Sequence, residues 1–198
     1  MQATEIKTHY SPAEYFALED QAELKSEYHD GEIIPMAGGT FNHNEIITNI
    51  GQLKSSLRSK GYRLYSSDVK LWIPKYQKAT YPDVMVIEGD PVQHDNRADT
   101  PLNPRLIIEV LSKSTEDYDL GDKFKFYRSI PSLQEYLLIS QYELDIQHYT
   151  KTDGGFWIYR TYETLEETIA LTSIDAHISV TSIYEGIEFE SQSLTQQP

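Results

Sequence analysis

The sequence has no cysteine, which excludes a disulfide framework and any thiolate metal site and suits a reducing compartment. It has no apolar run near the roughly 18 residues that a membrane-spanning helix needs. Residues 1–10 also lack the apolar core of a secretory signal. A cytoplasmic protein without a membrane partner is the expectation. Positive charge is scarce: 17 Lys and Arg stand against 31 Asp and Glu, for a net charge of −14. Taken whole, that balance opposes a general nucleic-acid binder, whose footprint should be basic. It also fits the plain role of keeping a protein dispersed. No Walker loop, dinucleotide fingerprint, nucleophile elbow or His-Glu-x-x-His zinc spacing is present, nor any helix-turn-helix or zinc finger.

The charge is unevenly spread. Lys54, Arg58, Lys60, Arg63, Lys70, Lys75 and Lys78 fall in one stretch with a single acid, Asp68. From residue 131 onward there are 2 basic and 11 acidic residues. Hydrophobic content of 39% and aromatic content of 12% are those of a globular chain. A length of 198 residues fits one domain, expected over residues 1–191, with residues 192–198 as a disordered tail.

Ser11-Pro12 reads as an N-cap and first helical position, opening a short helix within residues 11–24. Residues 25–37 read as a hairpin turning at Asp30-Gly31. Ile46, Ile47, Ile50, Leu53 and Leu57 recur at helical spacing and predict one long helix over 42–59, capped by Asn42 and ended by Gly61. Strands are predicted at 62–66, 69–73 and 83–87, followed by a loop at 88–103. The apolar run 106–111 predicts a strand buried on both faces. A second long helix is predicted over 115–129, capped by Thr115 with Glu116 and Asp117 favourable to its dipole. Further strands fall at 135–139, 144–150, 156–161 and 169–171, two of them joined through Asp153-Gly154-Gly155. The order predicts an α/β (α+β) sandwich on a mixed sheet flanked by helices, with extra β-hairpins.

Within that frame three charged residues sit in apolar surroundings. Asp83 begins a strand just after Pro82, where it could simply face a solvated sheet end. Glu109 lies inside Leu106-Ile107-Ile108-Glu109-Val110-Leu111, and a glutamate so placed must be paired, protonated or metal-bound. Lys123 shares a helical face with Leu120 and Tyr127 and either snorkels outward or reaches the carboxylates. Two carboxylates on neighbouring strands plus a lysine suit metal-assisted phosphodiester hydrolysis, because magnesium takes one or two carboxylates together with waters and phosphate oxygens.

Pro82-Asp83 followed by Glu109-Val110-Leu111-Ser112 resembles the PD-(D/E)XK nuclease superfamily, of restriction-endonuclease-like fold. The pattern departs at position 111, which is Leu where the superfamily carries Lys. The sequence is closer to the Uma-type endonuclease subgroup, whose following helix carries Asp, Lys and Tyr at four-residue steps, matched here by Asp119, Lys123 and Tyr127. Glu135-Tyr136, the hairpin Glu27-Tyr28-His29-Asp30-Gly31 and His43 match further segments. The resemblance implies that Asp83, Glu109 and the backbone carbonyl of Val110 hold Mg2+, with Mn2+ as a substitute. Lys123 would be the relocated catalytic lysine and Lys113 its competitor. Glu27, His43 and Tyr127 would be accessory groups. It implies DNA as substrate, the basic stretch 54–78 flanking the cleft, and a homodimer. The alternative is a catalytically inactive interaction or regulatory module that keeps the fold.

Overall fold

The computed structural model describes residues 8–112 and 119–189. Its first element, α1 (Pro12–Glu19), starts where the sequence says it should. The Ser11 hydroxyl accepts from the Glu14 N–H, the Glu14 carboxylate accepts from the Ser11 N–H at 2.9 Å, and Pro12 fills the first position. The helix buries Tyr15 and Phe16 against Tyr28, Trp72 and Ala79. The hairpin follows as β1 (Ser26–His29) and β2 (Glu32–Pro35). Asp30 (φ 47°) and Gly31 (φ 105°) both take positive φ, as a two-residue hairpin turn with strand-matching twist demands.

The single helix expected over 42–59 is two, α2 (Phe41–Gly51) and α3 (Lys54–Ser59). The break falls at Gly51-Gln52, where a glycine weakens the helix. Thr40 and not Asn42 caps α2, accepting from the His43 N–H at 3.2 Å. Asn42 instead donates to the carbonyls of Gln141 and Glu188. Next come β3 (Tyr62–Ser66), β4 (Leu71–Ile73), β5 (Lys78–Thr80), β6 (Val84–Glu88) and β7 (Pro104–Leu111). After β7 a π-helical turn at Asp119–Lys123 leads into α4 (Phe124–Tyr127). The predicted cap at Thr115, with Glu116 and Asp117, lies outside the described residues, as does the 192–198 tail. The chain continues through β8 (Glu135–Ser140), β9 (Ile146–Lys151), β10 (Trp157–Tyr162), β11 (Thr168–Leu171), β12 (Ala176–Ser179) and α5 (Val180–Ile183). The sequence reading missed β5, β12 and α5.

The central sheet runs β10-β9-β8-β7-β6-β3, with β7 and β8 parallel and the other neighbours antiparallel. It is the mixed sheet expected. One face packs Val84, Val86, Ile108, Val110 and Ile139 against Ile46 and Ile50 of α2, Leu57 of α3 and the C-terminal Ile178, Val180 and Ile183. The other packs Met85, Ile87, Ile107, Leu111, Tyr136 and Leu138 against Phe126, Tyr127, Ile130 and Leu133, and against Leu71 and Ile73 of the smaller sheet β2-β1-β5-β4. Both faces of β7 are thus covered, which is why its sequence is almost continuously apolar.

Candidate active site

Side chains alternate along a strand, so Asp83 shares a face with Met85 and Ile87, and Glu109 with Ile107 and Leu111. That common face lies under α4 and the small sheet. The Asp83 N–H donates to Glu109 Oε2 at 3.2 Å, and the Val110 N–H donates to Asp83 Oδ2 at 2.8 Å. The two carboxylates are therefore fixed to each other's strands. The register Val84↔Ile108 would, if extended, set Pro82 against Val110. Proline has no N–H, so the Val110 carbonyl meets no ladder donor from that rung.

Lys123 ends the π-helical turn and places its Nζ 3.0 Å from Glu109 Oε1. One turn on, the Tyr127 hydroxyl donates to the same oxygen at 2.7 Å and lies 3.2 Å from Thr80 Oγ1. Lys123 and Glu109 are both buried, with side chains 9% and 3% exposed. The lysine faces the carboxylates and does not snorkel outward. Burial, reinforced by the Glu109 charge, holds the Tyr127 phenol well above its ordinary pKa, so it remains a neutral donor.

His43, in the first turn of α2, brings Nε2 to 3.2 Å from Asp83 Oδ2 at the more open side of the cluster. Gly39 lies against its ring, where a Cβ would come within 2.9 Å of Nδ1. Glu27 accepts from the Tyr81 N–H at 3.4 Å, two residues from Asp83, and its other oxygen lies 2.9 Å from His29 Nε2. Burial pushes its pKa up, but His29, the Lys123 ammonium and the Tyr81 N–H together outweigh that and hold it below the usual carboxylate range. The residues singled out in the sequence thus converge, except Lys113, which lies outside the described residues.

Among the described residues no three His, Asp or Glu side chains close around one point. At the cluster the side-chain oxygens available to a cation are those of Asp83 and Glu109, and the N–H of Val110 is bonded to the first of them. That hard, all-oxygen donor set fits magnesium, which binds through one or two carboxylates and keeps its waters.

A family model described as Uma2, putative restriction endonuclease, matches residues 12–181. The chain belongs to the Uma2 family. Two Synechocystis sp. proteins are similar to it. Sll1609 is 45% identical over 147 residues, covering 74% of this chain and 83% of the relative. Slr1290 is 38% identical over 181 residues, covering 90% and 93%. The crystal structure of a protein from Anabaena variabilis, described as a putative nuclease belonging to DUF820, superposes with a TM-score of 0.72 at 18% identity. It covers 88% of this chain and 97% of its own. The restriction-endonuclease-like architecture expected from the sequence is thereby shown for this Uma2 chain.

Three contributors to the site escaped the sequence reading. His29 lies two residues from Glu27 on the same strand face, a spacing that could have flagged it. Thr80 sits on the short strand β5, which carries no periodic signal. Gln141 is buried, donates to the Leu111 carbonyl at 2.6 Å and accepts from Thr40, tying the end of β7 to the cap of the helix that carries His43. Nothing local marks it.

The basic stretch 54–78 does not line the cluster as a unit. Lys60 pairs with Asp175, Lys70 with Asp99, and Lys78 is buried over the Phe126 ring at 4.4 Å. Lys54, Arg58 and Arg63 gather instead at the end of β3 away from Asp83. In this Uma2 chain no helix among the described residues is long and apolar enough to cross a membrane.

Proposed function

We propose that this chain is a magnesium-dependent endonuclease that hydrolyses DNA phosphodiester bonds, with manganese as a working substitute. One observation carries the reading: the Glu109 carboxylate bonds the Asp83 N–H, the Asp83 carboxylate bonds the Val110 N–H, and a buried ammonium lies 3.0 Å from Glu109. Asp83, Glu109 and the Val110 carbonyl would hold the cation, which supplies an activated water and offsets charge developing on phosphate oxygens. Lys123 orients Glu109 and lends positive potential to the reacting phosphate. Tyr127 fixes the Glu109 rotamer. His43 meets Asp83 from the open side as an accessory polar group.

The test is cleavage of plasmid and single-stranded DNA with magnesium or manganese, together with manganese binding by electron paramagnetic resonance. Asp83→Asn keeps an acceptor for the Val110 N–H, so the fold should survive while cleavage drops at least about 100-fold and manganese binding is lost. Undiminished cleavage by both Asp83→Asn and Glu109→Gln would overturn the assignment.

A second reading, a non-catalytic module, is favoured by the way the cluster satisfies itself: Glu109 receives Asp83 N–H, Tyr127 and Lys123, and Asp83 receives Val110 N–H and His43. Failure of the wild type to bind manganese selects it. A homodimer fits the β10 edge of the central sheet, where Ile158 and Tyr159 are half exposed and Arg160 is the only charge. Analytical ultracentrifugation decides that point.

A further inference from the structure

In a chain of net charge −14, one groove of about 530 Å³ gathers three cations. Lys54 and Arg58 lie one turn apart on α3, Arg63 projects from β3, and Gly61, Tyr62, Leu64, Tyr65, Gly89 and Asp90 complete the walls. All three cations are exposed. Among the described residues the ion pairs engage Arg63 but neither Lys54 nor Arg58. The Arg63–Asp90 pair is solvent-exposed on both sides, a kind of contact that a phosphate can replace at little cost.

The groove follows an open strand edge. The bonds joining β3 to β6 include Gly89 N–H to Gly61 and Ser67 N–H to Asp83. Strand alternation then turns the N–H groups of Tyr62, Leu64 and Ser66 outward. The register sets Arg63 opposite Ile87 and Tyr65 opposite Met85, on the face that Asp83 shares, while Lys54 and Arg58 stand on α3 against the opposite face, so the groove wraps the β3 edge and reaches the Asp83 face through Arg63. From Ile87 to Asp83 is four residues, about 14 Å of strand, the axial rise of about four base pairs.

We infer that the α3–β3 groove is the track on which a nucleic-acid strand docks, Lys54, Arg58 and Arg63 holding phosphates a few nucleotides from the Asp83–Glu109 cluster. This rests on the nuclease reading and adds where the substrate lies. The occupant follows from charge: a second copy of so acidic a chain could use the same cations, but a polyphosphate backbone offers the continuous series of anions that three clustered cations and a row of outward N–H groups would take.

The test is fluorescence anisotropy of labelled single-stranded and duplex DNA on full-length protein carrying Asp83→Asn, which prevents cleavage, with and without Lys54→Ala/Arg58→Ala. Both positions are exposed, and an unchanged Tm confirms folding. Losing two phosphate contacts should weaken binding at about 0.1 M salt by about 25-fold for the single strand and about 60-fold for the duplex. The salt slope should become shallower by about 1.4 and about 1.8. Lys75→Ala/Lys151→Ala, with the same charge change elsewhere, should leave both within about threefold of the parent once the general field is allowed for. Equal effects of the two double variants, or none from either, overturn the track. So does loss of self-association in place of DNA binding. Charge-dependent binding at the groove without any cleavage by wild type leaves the track standing and removes the hydrolytic reading; cleavage indifferent to Lys54 and Arg58 does the reverse.

Discussion

Replacing Lys123 with methionine tests whether the buried pair at the heart of the cluster is formed as described. Lys123 Nζ and Glu109 Oε1 are 3.0 Å apart, and both side chains are nearly inaccessible. At an effective dielectric near 20 their attraction is on the order of 5 kcal/mol. Removing one member of a buried pair typically costs about 3–5 kcal/mol, since the other charge stays desolvated. For a chain of this size each kcal/mol moves Tm by about 2–4 °C, so Lys123→Met should lower it by roughly 6–20 °C. Glu109→Gln/Lys123→Met removes both charges and should recover most of the lost stability while remaining unable to cleave DNA. Differential scanning calorimetry at pH 7, run beside the nuclease assay, reads all of this. A single variant melting within about 1 °C of wild type, or a double variant melting at the sum of the two singles, would refute the buried-pair reasoning.

Tyr127→Phe removes the donor to Glu109 Oε1 and the neighbour of Thr80 Oγ1. Chemical denaturation should show a loss of about 1–3 kcal/mol. Because the phenol stays neutral, its removal should leave the alkaline limb of the cleavage–pH profile in place. Glu135 is fully buried and accepts from the backbone and hydroxyls of Thr172 and Ser173, with His148 Nε2 at 3.4 Å. Burial raises its pKa, but His148, Ser173 and Thr172 overcome that and hold it below the usual carboxylate range. A depressed folded pKa contributes stability above the unfolded value, and this is lost as pH falls through the folded one. Wild type should weaken in urea titrations below about pH 4.3, the unperturbed glutamate value, with Glu27 acting in the same sense. Glu135→Gln should be less stable at pH 7 and show a flatter acid limb; an unchanged acid limb would refute the assignment.

The elements that could be read from the sequence were those whose signal is local. Ser11-Pro12, Asp30-Gly31 and the strand 62–66 each specify their own geometry within a few residues. Elements held by distant partners were not legible. Lys78-Ala79-Thr80 is a strand only because β1 and β4 flank it, and Thr40 displaces Asn42 as the cap because Asn42 has carbonyls to meet across the chain. The site followed the same rule. A charge inside an apolar run announces itself, so Asp83, Glu109 and Lys123 stood out. Gln141 and Thr80 are ordinary polar residues whose role exists only in three dimensions. The basic stretch failed as a unit because consecutive cations, read as one feature, are dealt by strand and helix geometry to different surfaces.

The same geometry explains why the lysine stands on the helical segment. Position 111 lies two residues beyond Glu109, so its side chain shares that sheet face. There Leu111 is 2% exposed and packs within the second core, among Phe126, Tyr127 and Leu138. An ammonium in its place would need a partner within an apolar shell, or would open the contact between sheet and α4. From the π-helical turn, Lys123 enters over the sheet with its stem along the apolar surface and its Nζ at Glu109. The cation is delivered to the same carboxylate from above, and the strand is left free to be apolar. Pro82 acts on the other side of that arrangement by withholding the N–H that would bond the Val110 carbonyl. Pro82→Ala would supply that donor. With the Val110 carbonyl paired, manganese affinity should fall while Asp83, Glu109 and Lys123 keep their contacts, and unchanged affinity would show that the carbonyl has no part in the site.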